Sequence, residues 1–105
     1  MIASSVLEEL VRRILAAAHP QRIILFGSAA RGEMGPNSDL DVLVVMPDGT
    51  HRGDTSKGIY LGLRRFGCPI DVVVTTEGDL AEYADLIGLV FRQALKDGRE
   101  LYRAT

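Results

Sequence analysis

The sequence contains a single cysteine, Cys68, and no tryptophan. A single thiol excludes an intramolecular disulfide and a zinc site built from several cysteines, so Cys68 is predicted to be a small buried apolar side chain. Lysine and arginine total 12 residues against 14 acidic residues, and they are scattered along the chain. No basic stripe therefore marks a surface for long nucleic acid, and a polymer substrate is disfavoured.

Long apolar runs are also missing. No run approaches the roughly 20 residues that a membrane-spanning helix needs, and the N-terminal residues lack the features of a signal peptide. The protein is therefore expected to be cytoplasmic and to have no membrane partner. Its 105 residues, 47% of them hydrophobic, suffice for one core, so residues 1–105 are predicted to form a single domain.

Segments with helical and strand patterns alternate along the chain. Apolar residues recur at helical spacing in three segments: Ser5–Ala18, about Thr55–Arg65 and about Asp79–Lys96. Short apolar runs rich in β-branched residues predict strands at Ile23–Phe26, Leu40–Met46 and Ile70–Val74, with a short edge strand at Leu101 and Tyr102. This alternation predicts an α/β fold with a mixed sheet of three to four strands flanked by helices.

The first predicted strand ends at Gly27 and Ser28, and a segment rich in helix-breaking residues follows as far as Ser38. One short helical turn and a loop are expected there. Backbone N–H groups at such a turn are unpaired, and the missing Cβ of Gly27 allows a phosphate to approach closely. The turn is therefore a candidate phosphate-binding site, although it is not a Walker A loop, which requires a Lys followed by Ser or Thr after its second glycine.

Three aspartates are expected at one end of the sheet. Asp39 and Asp41 stand two positions apart at the start of the second predicted strand, so both side chains leave the same face. Asp71 lies inside the third predicted strand, where an unpaired buried carboxylate would cost several kcal/mol. If the two strands pair, the carboxylates meet and Mg²⁺ would relieve their repulsion. The structural alternative is a turn cap at Asp39, with ion pairs from Asp41 to Arg31 and from Asp71 to Arg22.

The combined motif resembles the polymerase-beta-like nucleotidyltransferase superfamily. It consists of Gly-Ser, ten residues and Asp-Leu-Asp, with Ala-Arg-Gly inside the gap and a later aspartate in an apolar strand. The size of the chain is similar to that of the minimal nucleotidyltransferases, and the likeness covers nearly the whole chain. The resemblance implies a nucleotidyltransferase fold in which Asp39, Asp41 and Asp71 form the catalytic and metal-binding site, and Asp71 also helps to activate the acceptor hydroxyl. The nucleotide-binding residues that it implies are Gly27, Ser28, Arg31 and Ser38.

The resemblance also implies an activity. Members of this kind transfer a nucleoside monophosphate, here expected to be AMP from ATP, with one or two Mg²⁺ ions and release of pyrophosphate. Such proteins occur as antitoxins of helical HEPN-domain toxins, and some adenylylate a tyrosine on that partner. A chain this short has little surface for selecting an acceptor, so the acceptor is expected to be bound by a partner or to be the partner itself, and the resemblance favours a tyrosine hydroxyl of the HEPN toxin.

Two other functions stay open at this point. One is a non-catalytic antitoxin that neutralises a HEPN toxin by binding, against which the presence of Asp71 argues. The other is an enzyme that modifies a small molecule such as an aminoglycoside. The sequence is also compatible with a homo-oligomer.

Outside the motif, Lys57 is the best candidate for an additional phosphate contact. A core or partner-facing role is favoured for Tyr60 over stacking on a base.

Overall fold

The computed structural model describes residues 4–30, 32, 39–83 and 98–104. Within these residues the helices are α1 (Ser4–Ala17), α2 (Gly27–Ala30), α3 (Arg52–Gly62) and α4 (Glu77–Tyr83). The strands are β1 (Arg22–Phe26), β2 (Leu40–Met46), β3 (Ile70–Thr76) and β4 (Arg99–Arg103). The predicted helix from about Asp79 to Lys96 is present as α4 up to Tyr83, and its remainder lies outside the described residues.

The four strands of the described residues form one mixed sheet in the order β3-β2-β1-β4. Strand β1 pairs antiparallel with both β2 and β4, and β2 pairs parallel with β3. The structure therefore confirms the predicted α/β fold with a mixed sheet flanked by helices. It also places β3 and β4 at the two edges of that sheet.

Helix α3 begins and ends about three residues earlier than its apolar spacing predicts. His51 supplies the N-cap, because its Nδ1 accepts a hydrogen bond of 3.1 Å from the backbone N–H of Asp54. The polar residues after His51 thus start the helix although they carry no apolar stripe. The helix ends at Gly62, and Arg65 beyond it adopts the left-handed conformation at φ 59°.

The sheet has a helical layer on each face. On one face, α1 and α3 pack Leu10, Ile14 and Ile59 against a cluster that includes Val42 and Val72. On the other face, Leu80 of α4 packs with side chains of β1 and β2, namely Ile24, Phe26, Leu43 and Val45. Because successive strand residues face opposite sides, the odd-numbered residues of β2 and β3 lie on the α4 face. That face includes Asp41 and Asp71.

Strand β2 is buried on both faces, as predicted, and Asp41 is its one residue that is not fully buried. None of the helices in the described ranges is long and apolar enough to cross a membrane.

Candidate active site

The central feature of the site is the pairing of Asp41 with Asp71. The two residues are Cα partners in the parallel ladder between β2 and β3. Directly paired residues of neighbouring strands point to the same face of the sheet, and the strands themselves lie about 5 Å apart. The condition on which the sequence prediction depended, that the second and third strands pair, is therefore met.

Asp39 lies just before β2 rather than on it, so its predicted place on the strand is wrong. The ladder starts with Leu40, which pairs with Ile70. The N–H of Leu40 donates a hydrogen bond of 3.0 Å to the carbonyl of Pro69, which fixes the start of the ladder. Asp39 is consequently an exposed residue at the end of the sheet where β2 and β3 begin.

Asp71 is also exposed, which corrects the prediction that it is a buried carboxylate. The reason is topological, because β3 is an edge strand and its apolar sequence does not show this. The partly buried carboxylate is instead that of Asp41, on the inner strand β2. The free-energy cost of burying a carboxylate, which we expected at Asp71, therefore applies to Asp41.

The environment of Asp41 disfavours its charged form. Burial raises the pKa of the Asp41 carboxyl above its ordinary value, and the negative charges of Asp71 and then of Asp39 raise it further. Asp71 and Asp39 are thus each close enough to Asp41 to repel its charge. A cation near Asp41 would relieve both the burial cost and the repulsion.

Gly27 makes room for the Asp41 carboxylate. Gly27 has φ +73°, and a Cβ built at this position would collide with Oδ2 of Asp41. Glycine is thus required twice, for its backbone conformation and for the close approach of the carboxylate. The sequence pointed to Gly27 as a phosphate contact but gave no sign of its contact with Asp41, because the two residues are far apart along the chain. A phosphate contact of Gly27 stays a prediction.

The carboxylates fit magnesium in chemistry, since Mg²⁺ prefers oxygen ligands and is usually held by one or two carboxylates together with phosphate oxygens. In the part of the chain that the structure describes, no group of three or more His, Cys, Asp or Glu side chains is arranged so that it could hold a metal ion by itself. Asp39 and Asp71 are exposed and keep rotamer freedom. The site therefore offers the right donors without forming a closed cage.

The structure also decides one alternative ion pair. Arg22 binds Glu77 through an Nε–Oε1 contact of 2.9 Å. Arg22 starts β1, which is antiparallel to β2 and has Val45 as its partner there, so it lies at the opposite end of the sheet from Asp71. The predicted alternative of an Arg22–Asp71 pair is therefore wrong. The other alternative partner, Arg31, lies outside the described residues, as do Ser38 and the side chain of Ser28.

Two further residues occupy places that the sequence did not predict. Lys57 is exposed on α3, which packs on the sheet face opposite the aspartates, so the suggested phosphate contact of Lys57 is not supported. Cys68 is partly buried rather than buried. Burial raises the pKa of its thiol, and the charge of Asp39 adds to the rise, so Cys68 lies near Asp39.

Comparison with known proteins places this arrangement in a family. The sequence matches the family described as "Nucleotidyltransferase domain" over residues 4–101. No curated protein sequence matches the chain.

The fold of the chain is also similar to the folds of several solved structures. A chain of a toxin–antitoxin crystal structure with AMP-PNP has a TM-score of 0.70 and 18% identity, over 93% of this chain and 73% of the other. A nucleotidyltransferase from Sulfolobus solfataricus, itself assigned without proof of activity, has a TM-score of 0.65 and 22% identity, over 94% and 78% of the two chains. A chain from a complex of tri-AMPylated Shewanella oneidensis HEPN toxin with MNT antitoxin has a TM-score of 0.64 and 15% identity, over 95% and 71%.

At these identities the structural similarity shows the fold, and the family match covers most of the sequence. The mixed four-stranded sheet flanked by helices agrees with that fold. The chain therefore belongs to the nucleotidyltransferase domain family.

Proposed function

We propose that residues 1–105 act as one domain, a Mg²⁺-dependent nucleotidyltransferase that moves AMP from ATP to a hydroxyl of a partner protein in the cytoplasm. We further propose that the partner is a HEPN-domain toxin and that the protein is its antitoxin. The observation that carries the proposal is the pairing of Asp41 with Asp71 beside Gly27. The toxin–antitoxin structures with AMP-PNP and with a tri-AMPylated HEPN toxin support the choice of donor and partner.

The three aspartates have different proposed roles because their exposure differs. Asp41 is partly buried against Gly27 and, together with Asp39, is suited to hold the metal. When bound, Mg²⁺ would neutralise negative charge on the triphosphate and on the departing pyrophosphate. The turn at Gly27 and Ser28 would hold the triphosphate, with Arg31 and Ser38 as further contacts.

Asp71 is suited to serve the acceptor. It is exposed on an edge strand, so a hydroxyl of another molecule can reach it from the side of the sheet. In the proposed reaction the acceptor oxygen forms a bond to the α-phosphorus, the bond to the bridging oxygen breaks, and pyrophosphate leaves. The proton of the acceptor hydroxyl passes to the Asp71 carboxylate. Catalysis of this kind consists mainly of positioning and electrostatic stabilisation.

The test is label transfer from ATP. The protein is incubated with Mg²⁺, a candidate HEPN-domain partner and ATP labelled at the α-phosphate, beside Asp41→Asn and Asp71→Asn variants. Asp54→Asn is the matched control, because Asp54 is an exposed aspartate near the start of α3, which follows the opposite end of β2. We expect label on a tyrosine of the partner with the wild type and the control, and none with the site variants or with EDTA.

Two further arms identify the reaction. ATP labelled at the γ-phosphate is expected to leave the partner unlabelled, because the γ-phosphate departs in pyrophosphate. Each of the other three nucleotides is tried as donor. If no nucleotide labels the partner while wild type and variants neutralise the toxin equally well, the protein acts by binding alone and the catalytic proposal is wrong.

A further inference from the structure

The outward side of α3 and the turn after it carry two large apolar side chains and two cations. Lys57, Tyr60 and Leu61 follow the i, i+3, i+4 spacing of one helical face, Arg64 lies in the turn just after the helix, and all four are exposed. We call these four residues the α3 outer face. Tyr60 is 42% exposed and Leu61 is 59% exposed, and they are the exposed large hydrophobic residues of the described ranges. Exposed apolar side chains that lie together with a rim of polar residues can form part of an interaction site.

The α3 outer face lies beside the strand that carries Asp71. The Tyr60 hydroxyl accepts a hydrogen bond of 2.9 Å from the backbone N–H of Val72, the residue after Asp71. Since β3 is an edge strand, this hydrogen bond links α3 to the edge of the sheet, one residue away from Asp71. A molecule seated on the α3 outer face can therefore extend around that edge towards the exposed Asp71.

The turn after α3 is held in place by contacts with helix α1. Arg13 of α1 donates a hydrogen bond of 2.9 Å from Nη1 to the carbonyl of Arg64. Its guanidinium also lies 5.3 Å from the centroid of the Phe66 ring, a cation–π distance. Arg64 itself forms no ion pair with any of the described residues. Its charge is thus presented to solvent on a backbone fixed by Arg13.

We propose that the α3 outer face is the docking surface for the protein that carries the acceptor hydroxyl, and that this partner presents acidic side chains around an apolar patch. The inference rests on the proposed function for its view that the acceptor belongs to a protein. Charge complementarity indicates an acidic partner, because Lys57 and Arg64 are cations on a chain whose net charge is -2. A protein is favoured over a nucleic acid, because two cations on a chain of net charge -2 supply little of the phosphate neutralisation on which nucleic-acid affinity depends.

The test uses a fluorescent copolymer of glutamate and tyrosine, an acidic polypeptide that carries acceptor hydroxyls. Its binding is followed by fluorescence anisotropy without nucleotide or Mg²⁺, so that the result does not depend on catalysis. Arg64→Glu is compared with Arg99→Glu, a charge reversal of another exposed arginine on β4, at the far edge of the sheet. We expect Arg64→Glu to weaken binding about tenfold or more and Arg99→Glu by less than about twofold.

The apolar part of the surface is tested separately. Leu61→Ser is expected to weaken binding about fivefold, and this loss should persist at high salt because it does not depend on charge. Thermal unfolding of each variant checks that the fold is intact. Equal losses for Arg64→Glu and Arg99→Glu, no binding by the wild type, or preferred binding of a lysine–tyrosine copolymer or of single-stranded RNA would each overturn the docking proposal.

A transfer assay with the same copolymer, Mg²⁺ and α-labelled ATP separates the two proposals. Specific binding without transfer would leave the docking surface in place and count against the proposed function. Transfer with the same KM for the copolymer in wild type and Arg64→Glu would support the function and overturn the docking surface. If the proposed function and the docking proposal are both correct, Arg64→Glu raises the KM for the copolymer and leaves the KM for ATP unchanged.

Discussion

The carboxylate of Asp41 lies in the space that a Cβ on Gly27 would need. The turn after β1 and the aspartate of β2 therefore fit each other without a bound nucleotide. This contact explains why the turn needs glycine at this position, independently of a phosphate. It also limits where the Asp41 carboxylate can go, so that it remains beside Asp71.

Gly27→Ala is expected to impair activity more than stability. The left-handed backbone at φ +73° costs an alanine about 1–3 kcal/mol, and the new methyl group displaces the Asp41 carboxylate. The control is Gly49→Ala, because Gly49 has φ +88° but no atom within 4 Å of the position that a Cβ would take. Both variants should lose stability in chemical denaturation, and Gly27→Ala alone should lose at least about tenfold in transfer rate. Equal rates for the two variants would contradict the role assigned to the contact.

Asp41→Asn is expected to stabilise the metal-free protein while it abolishes transfer. The substitution removes a partly buried charge that Asp71 and Asp39 repel, and like charges directly opposite on neighbouring strands destabilise a sheet. The measurement is thermal unfolding at neutral pH in EDTA, repeated with Mg²⁺ and AMP-PNP. Ligand should raise the melting temperature of the wild type and leave that of the variant unchanged. A variant less stable than the wild type in EDTA would show that repulsion at Asp41 is not significant.

Glu9 gives the fold a stabilising interaction that depends on pH. Hydrogen bonds from Arg12 and then Arg13 lower the pKa of Glu9 from 4.5 to about 2. A lowered pKa means that the stabilisation is fully present above the ordinary pKa and is lost as the pH falls from about 4.5 to about 2. Glu9→Gln should therefore melt below the wild type at pH 7, and the difference should shrink through that window and with added salt. A difference in melting temperature that stays constant as the pH falls to about 2 would disprove the pairing of Glu9 with the two arginines.

Thr75→Val is expected to stabilise the protein by about 1 kcal/mol. Thr75 is fully buried on β3, and its Oγ1 has no hydrogen-bond partner among the described residues. Valine has nearly the same shape and leaves no polar atom unsatisfied. Urea unfolding of the two proteins measures the difference, and Thr55→Val is the control, because the Oγ1 of Thr55 donates to the carbonyl of His51. A destabilised Thr75→Val protein would indicate that the hydroxyl has a partner.

Much of the fold follows from the sequence because its strands and helices have different apolar spacings. Leu40–Met46 is such a case, since a short run this apolar predicts a strand buried on both faces. The exposure of Asp71 does not follow, because an edge strand and an inner strand can have the same composition. Likewise, the early start of α3 depends on the cap from His51, and the Gly27–Asp41 contact joins residues that only the folded chain brings together.

The assignment of the metal–nucleotide site is tested most directly by replacing Mg²⁺ with paramagnetic Mn²⁺ in the presence of AMP-PNP and recording amide NMR spectra. Relaxation by Mn²⁺ falls steeply with distance, so the signals that broaden first identify the residues around the ion. We expect the amides of Gly27, Asp41 and Asp71 to broaden first in the wild type, and to stay sharp in Asp41→Asn. Broadening at the opposite end of the sheet, around Asp48 and Asp79, with sharp signals at Gly27 and Asp41, would contradict the assignment.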